Sequence, residues 1–550
     1  MPTKLTLRDI LLKTVHQWPD RPALGAVGEE SRTFAQLLSD AATWTTWLMS
    51  LGFKPGDRAV ILAESRAEWG TAYFGITAAG YVVVPILPDF AAQQISNILT
   101  HSGSTAVVVS RKLRPVLEEA YALVPDQEIP TALLETGEIL SGPGAGTTLA
   151  APEDPMVFFS HEPEPDDPAS LLYTSGTTGT SKGVMLSHNA IAWNAVTGME
   201  EGLGPNPTGV RHLSVLPLAH TYECTVGLVG ILSVGGEVRY LNAPPIPSRL
   251  LKALEDEKPS VMLTVPLLME KIYRSKIAGP IKSKPVLKAL YSFPPARKLI
   301  HAVAGAKLKK LFGGNIQFFG VGGAPLPTDV EIFMRDAKFP YSVGYGLTET
   351  APLLAGGNTK YMAFRSTGKI VPGVDIRIHN PNSKGIGEIQ AKGPNIMLGY
   401  WKDPERTAEV FTEDGYFRTG DLGMVKGDIL FIKGRLKDVL LGSNGENIYP
   451  DEVESIINGQ NFVAESLAYI KDGQLVARIL LDAEKIAGEA RKMGIQSAEK
   501  LNEWKDDLLE GIRREANRQL GRNSKIQSFI EQLKPFEKTP SLKIKRFLYI

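Results

Sequence analysis

Residues 173–184 read YTSGTTGTSKGV, with glycines at 176, 179 and 183, hydroxyls at Thr174, Ser175, Thr177, Thr178, Thr180 and Ser181, and one lysine, Lys182. A loop of this composition can approach phosphate closely. Its glycines turn backbone N–H groups toward an anion without interference from a Cβ, the hydroxyls donate, and the lysine adds a mobile positive charge. The apolar run just before it, residues 169–173, reads as a short strand, so the loop is expected to leave a sheet edge. A nucleoside triphosphatase P-loop needs glycine directly before the lysine and Ser or Thr directly after it; Ser181 and Gly183 stand there instead, and that reading fails. A plain Gly/Ser/Thr surface loop is the competing reading, on which the rest of the chain bears.

The chain has 550 residues, 43% of them apolar and 22% charged, which suits a globular protein with a sizeable core. Its 60 basic and 60 acidic residues balance, so no global field draws it to nucleic acid or to an acidic membrane surface, and any anion site must be local. One cysteine, Cys224, excludes an intrachain disulfide and a cysteine-based zinc cluster and fits a reducing compartment, with the cytoplasm the expected location. The N-terminal apolar residues are interrupted by charge and form no signal-peptide core. Residues 69–88 are uncharged, but Gly75, Gly80 and Pro85 divide them into a helix and a buried strand, not a membrane span.

The runs RAVILAE (58–64), YVVVPI (81–86) and TAVVVS (105–110) alternate with helical stretches, which predicts an α/β fold with a mostly parallel sheet. LSVLPLAHTYECTVGLVGILSVGGEV (213–238) and PSVMLTVPLLMEKI (259–272) continue the pattern. His220 lies in the first of these, a position more often structural than catalytic. GNIQFFGVGGAPLPTDV (314–330) reads as strand, glycine turn and helix. The paired Gly322 and Gly323 there allow either a tight turn or close approach to a flat ligand. YSVGYGLTETAP (341–352) delivers Tyr345, Gly346, Thr348 and Glu349 to one turn. An aromatic face, an approachable backbone, a hydroxyl and a carboxylate together suit a nucleotide with magnesium. Residues 366–401 carry period-two strands broken by glycine, hence a small antiparallel subdomain. In DGYFRTGDLG (414–423), Asp421 is either a turn residue or a carboxylate able to accept from both hydroxyls of a ribose. Beyond KGRLKDVLLGSNGENIYPDEVE (433–454) a new helix, hairpin and charged helix form a small α+β unit.

Taken together, these motifs resemble the adenylate-forming (AMP-binding) superfamily, most closely the bacterial long-chain fatty acid–CoA ligases, in the family's order and over nearly the whole chain. The resemblance implies a large N-terminal domain, 1–434, and a mobile C-terminal domain, 435–550, with a hinge near Lys437. It implies ATP, magnesium and CoA as cofactor and co-substrates. Thr174, Ser175, Gly176, Thr177, Thr178, Gly179 and Lys182 would bind phosphate, and Gly322, Gly323 and Ala324 would border the adenine. Tyr345 with Gly346 would lie near the same ring, Thr348 would contact the α-phosphate, Glu349 would hold the metal, and Asp421 and Arg435 would take the ribose. His220 would lie near the substrate carboxylate, the 442–447 loop near the thiol acceptor, and Lys543 would reach the active site. The family usually has glycine before that lysine; this chain has Leu542.

The implied reaction is activation of a medium- to long-chain fatty acid to acyl-AMP with pyrophosphate release, then transfer to CoA. A carrier-protein phosphopantetheine or molecular oxygen as acceptor, and a nucleotide-binding protein without catalysis, are the alternatives. Gly227 and Gly230 after His220 either leave a groove for an alkyl chain or allow close helix packing. Nothing in the chain requires nucleic acid or a transmembrane segment; peripheral membrane contact and a homodimer are compatible with it.

Overall fold

The computed structural model of the protein describes residues 4–124, 128–156, 161–174, 182–205, 207–243, 245–283, 285–441, 447–521, 524–538 and 544–550. Ser175, Gly176, Thr177, Thr178 and Gly179, residues 442–446 and Lys543 lie outside them.

Among the described residues the β-branched runs assemble into two large, mostly parallel sheets. The first runs in the order Tyr341–Val343, Phe318–Val321, Val261–Thr264, Arg211–Ser214, Glu237–Tyr240, Pro22–Ala26 and Arg32–Thr33, parallel until the last pair. The second runs Gly399–Tyr400, Lys182–Ser187, Pro168–Thr174, Val82–Ile86, Arg58–Leu62, Ala106–Val109, Thr131–Leu133 and Ile139–Ser141. Its middle is parallel and its two ends are antiparallel. Pro168–Thr174 is therefore an interior strand and not the expected edge, because Lys182–Ser187 folds back beside it and Gly399–Tyr400 adds outside that.

The uncharged run at 69–88 is explained by its place. The helix Ala67–Thr77 packs on strands of both sheets at once, so it is apolar on all sides; Trp69, Tyr73 and Phe74 are fully buried. Phe34–Ser50 packs against it so closely that a Cβ on Gly75 would sit 2.4 Å from the carbonyl oxygen of Ala41. Among the described residues no helix is long and apolar enough to cross a membrane.

A third, antiparallel sheet carries Tyr345–Gly346, Leu353–Gly356, Lys369–Ile370, Ile429–Arg435, Phe417–Lys426, Gly387–Lys392 and Asp375–His379. The C-terminal residues form the expected helix, Pro450–Asn458, the hairpin Val463–Lys471 with Gln474–Leu481, and the charged helix Ala498–Gln519. A further strand, Ser528–Gln532, adds parallel to Gln474–Leu481. Only half-buried and bounded by charge, it has too little alternation to be read from sequence. This part has its own core around Val453, Ile457, Ile479, Ile512 and Ala516.

The stretch around His220 alternates strand with helix as expected, but the helix is of an unusual kind. Arg211–Ser214 is a short strand, and Tyr222–Gly230 is a π-helix. Its glycines serve packing. A Cβ on Gly227 would fall 2.9 Å from the carboxyl carbon of the buried Glu223, and one on Gly230 would lie 3.2 Å from Met199. The alkyl-groove reading of these two glycines is thereby set aside.

Candidate active site

The turn at 345–350 is fixed by backbone contact. Tyr345–Gly346 pairs antiparallel with Leu353–Gly356, and a Cβ on Gly346 would lie 1.6 Å from the carbonyl oxygen of Pro352, so only glycine fits. The following 3₁₀ turn, Thr348–Thr350, is pinned from several sides. Leu347 N–H donates to Thr350 Oγ1 at 2.9 Å, and Asn395 Nδ2 donates to the carbonyls of Thr350 and Leu353, both at 2.9 Å. Met397 N–H donates to the Glu349 carbonyl at 2.9 Å. Thr348 and Glu349 are thus carried on a held backbone.

Asp421 stands directly across the ladder from Arg435, and Arg435 Nε lies 3.2 Å from its Oδ1. Tyr345 Oη donates to its Oδ2 at 2.8 Å. Burial, and next the neighbouring Asp421, push the Tyr345 hydroxyl well above its ordinary value, so it is a donor at all physiological pH. Three separate motifs, 341–352, 414–423 and 433–454, therefore meet at one carboxylate. Asp421 is no simple turn residue, since it is buried within the strand Phe417–Lys426.

A second cluster gathers on Tyr400. Its hydroxyl donates to Glu349 Oε1 at 3.0 Å, and Lys182 Nζ lies 4.9 Å from its ring centroid. Lys182 begins the strand Lys182–Ser187, paired with Thr174 at the end of Pro168–Thr174. Burial lowers its pKa, and the charge of Glu349 works in the opposite direction. In the sequence GYW reads only as the end of a strand, and a ring that meets a glycine-lysine motif distant in sequence gives no local signal.

The glycine turn comes to the same end of the sheet. Phe318–Val321 runs parallel to Tyr341–Val343, and Gly344 N–H donates to the Val321 carbonyl at 2.9 Å. Gly323 has φ +85° and is exposed with Ala324, whereas Gly322 is buried. A Cβ on Gly322 would sit 3.0 Å from the Tyr222 ring. Tyr222 in turn donates its N–H to Nδ1 of the exposed His220 at 3.2 Å. Tyr222 is a second residue missed in the sequence, and it links His220 to the glycine turn.

The profile of the AMP-binding enzyme family matches residues 11–401. A feruloyl-CoA synthase from Amycolatopsis sp is 31% identical, over 80% of this chain and 82% of its own length. A long-chain-fatty-acid–CoA ligase from Mycobacterium bovis is 29% identical, over 91% of this chain and 87% of its own. Among solved structures, the anthranilate CoA ligase AuaEII in complex with anthranoyl-AMP superposes with a TM-score of 0.76 at 20% identity, covering 100% of this chain and 97% of that one. ATP-bound MatB from Rhodopseudomonas palustris gives 0.74 at 23%, covering 99% and 98%. These two likenesses speak for the fold.

Proposed function

We infer the reaction from the family: this chain belongs to the AMP-binding enzymes, and it is an acid–CoA ligase of the AMP-forming kind. The acid's carboxylate attacks the α-phosphorus of ATP, pyrophosphate leaves, and an acyl-AMP anhydride forms. The CoA thiol then attacks the acyl carbon and AMP departs. We assign as the acid a fatty acid of medium to long chain. Alignment of the mycobacterial long-chain ligase over 91% of this chain, against 80% for the feruloyl-CoA synthase, supports that assignment. An aromatic acid is the second reading, favoured by the higher identity of the feruloyl-CoA synthase, 31% against 29%.

The observation that carries the nucleotide assignment is the meeting of Tyr345, Asp421 and Arg435 beside the Thr348–Thr350 turn. Asp421 accepts from the ribose hydroxyls in this reading, with Arg435 alongside. The exposed Gly323 and Ala324 border the adenine, and Thr348 donates to the α-phosphate. Thr174 and Lys182 flank residues 175–179, which bind the phosphates through amides and hydroxyls. His220 faces the carboxylate of the acid. The domain boundary falls at 434/435, and rotation about a hinge near Lys437 presents Lys543 for adenylation and residues 442–447 for thioester formation.

Glu349 offers hard oxygen donors beside the Thr348 hydroxyl, a set that fits magnesium when substrate phosphates complete the shell. The metal, when bound, neutralises charge on the leaving pyrophosphate. Glu349→Gln keeps an acceptor for Tyr400 but removes the charge. It is expected to raise the magnesium concentration for half-maximal pyrophosphate release at least about tenfold, the equivalent of losing a charge-assisted contact of ~1.5 kcal/mol. A magnesium titration that superposes on wild type removes Glu349 from the metal site.

The substrate assignment is tested by pyrophosphate release and CoA-thioester formation across acids of graded length. Dodecanoate or palmitate should give a higher kcat/KM than acetate, benzoate or ferulate. A preference for ferulate establishes the second reading. Thioester formed only with a phosphopantetheinyl carrier protein replaces CoA as acceptor, and ATP binding without acid-dependent pyrophosphate release refutes the catalytic reading.

A further inference from the structure

The helix Ala92–Ser102 ends in carbonyls that are claimed by distant residues. Arg58 donates from Nε to Ser102 at 3.0 Å and from Nη2 to Gly103 at 2.9 Å, a cation at the negative pole of the helix. The carbonyl of His101 is taken from 300 and 301 residues away, by Trp401 Nε1 at 3.1 Å and Lys402 Nζ at 3.0 Å. The side chain of the same residue holds a second element. Its Nδ1 lies 2.8 Å from the hydroxyl of Tyr173, and the two rings meet edge to face. Burial raises the pKa of the Tyr173 hydroxyl, which stays a donor. Burial, and next the charge of Lys402, lower that of His101, while Asp403 acts in the opposite direction. The neutral ring thus offers Nδ1 as the acceptor.

Both elements gripped by His101 lead to Lys182. Across the antiparallel ladder Tyr173 pairs with Gly183 and Thr174 with Lys182, and Trp401 donates its N–H to the Gly183 carbonyl at 2.8 Å. Gly183 is closely fitted between them. A Cβ there would lie 3.2 Å from Trp401 Cβ and 3.3 Å from Tyr173 Cζ. Tyr400, just before Trp401, carries the ring that faces Lys182 Nζ and the hydroxyl that reaches Glu349.

We propose that His101 is a positioning residue for ATP. Its side chain fixes the strand that enters the Lys182 turn, and its carbonyl fixes the segment that packs on the strand leaving it. Together they set the place of the Lys182 ammonium and of the Tyr400–Glu349 pair for the triphosphate and its magnesium. This rests on the nucleotide reading given above. Helix capping accounts for Arg58 but not for the bond to Tyr173. Because acyl-AMP retains only the α-phosphate, thioester formation makes no use of this arrangement.

The test compares the two half-reactions in one preparation of the full-length protein. His101→Ala should lower kcat/KM for ATP in acid-dependent pyrophosphate release about three- to tenfold, the effect of one hydrogen bond. Thioester formation from supplied acyl-AMP and CoA should stay within about twofold of wild type. His101→Asn, whose amide oxygen can stand where Nδ1 does, should restore most of the loss. Tyr173→Phe should reproduce the defect, and it carries the comparison alone should His101→Ala not fold. The double variant His101→Ala/Tyr173→Phe should be no worse than either single one, since both remove the same contact. The inference is overturned if His101→Ala keeps the wild-type kcat/KM for ATP, or if the double variant shows the product of the single losses. Equal slowing of both half-reactions also overturns it, by assigning His101 to stability alone. Lys182→Met separates these failures from that of the underlying reading. If it is impaired in pyrophosphate release while His101→Ala is normal, His101 alone is removed; if it uses ATP like wild type, the nucleotide assignment falls and the role of His101 with it.

Discussion

Lys543→Ala is expected to lower acid-dependent pyrophosphate release on the order of 10²- to 10³-fold, the loss that follows deletion of one preorganised donor at a developing oxyanion, while thioester formation from supplied acyl-AMP and CoA continues. The asymmetry comes from the two half-reactions. Negative charge grows on the phosphoryl oxygens only during adenylation, and the proposed rotation about Lys437 turns the lysine away before the thiol attacks. Lys543 lies outside the described residues, and Leu542 stands where the family has glycine, so the neighbouring lysine is the necessary control. Lys545 has a place of its own: its N–H donates to the Glu537 carbonyl at 2.9 Å and its Nζ lies 3.6 Å from the Glu537 carboxylate. Lys545→Ala should therefore leave adenylation near wild type. Equal loss of both half-reactions in folded Lys543→Ala refutes the two-state assignment, and a selective defect in Lys545→Ala moves the motif by two residues.

Glu223→Ala is expected to destabilise the fold by about 3–5 kcal/mol, the range for removing one member of a buried pair and leaving the other without its partner. Glu223 and His212 are both fully buried, with Glu223 Oε1 2.8 Å from His212 Nε2. His212 lies in the middle of the first parallel sheet, opposite Val261, so the imidazole that loses its partner stays buried. Glu223→Gln, which retains a hydrogen-bonding partner for the imidazole, should cost less than half as much. Urea unfolding of the three proteins measures this directly; an alanine variant within about 1 kcal/mol of wild type shows that the pair contributes no stability. Because Glu223 follows Tyr222, which rests on Gly322, loosening here should also reach the glycine turn.

Much of the fold was legible because its strands are short β-branched runs of period or continuity that few other elements share. VVVPI, AVVV and FFGV read as strands for that reason, and strands they are. The π character of Tyr222–Gly230 was not legible, since a wider helix leaves no distinct periodicity in nine residues that are nearly all buried. The role of Gly227 was undecidable in sequence, where a small residue facing a ligand and one facing a buried carboxylate look alike. Of the candidate site, Asp421, Arg435, Tyr345 and Glu349 were chosen by motif, and the structure brings the first three to mutual contact. Tyr400 and Asn395 escaped because each acts on a turn about fifty residues away, through a hydrogen bond with no trace in local composition.

The helix Ala67–Thr77, clasped by both parallel sheets, also sets an order on biosynthesis. Pro22–Ala26 pairs with Glu237–Tyr240, so a strand made near the start has its parallel neighbour only about 210 residues later, roughly 10–40 s of ribosomal elongation. During that interval the helix can be covered by Phe34–Ser50 and the second sheet, while the flank that Glu237–Tyr240 will cover stays open. The emerging chain therefore displays an apolar flank that the finished protein never shows.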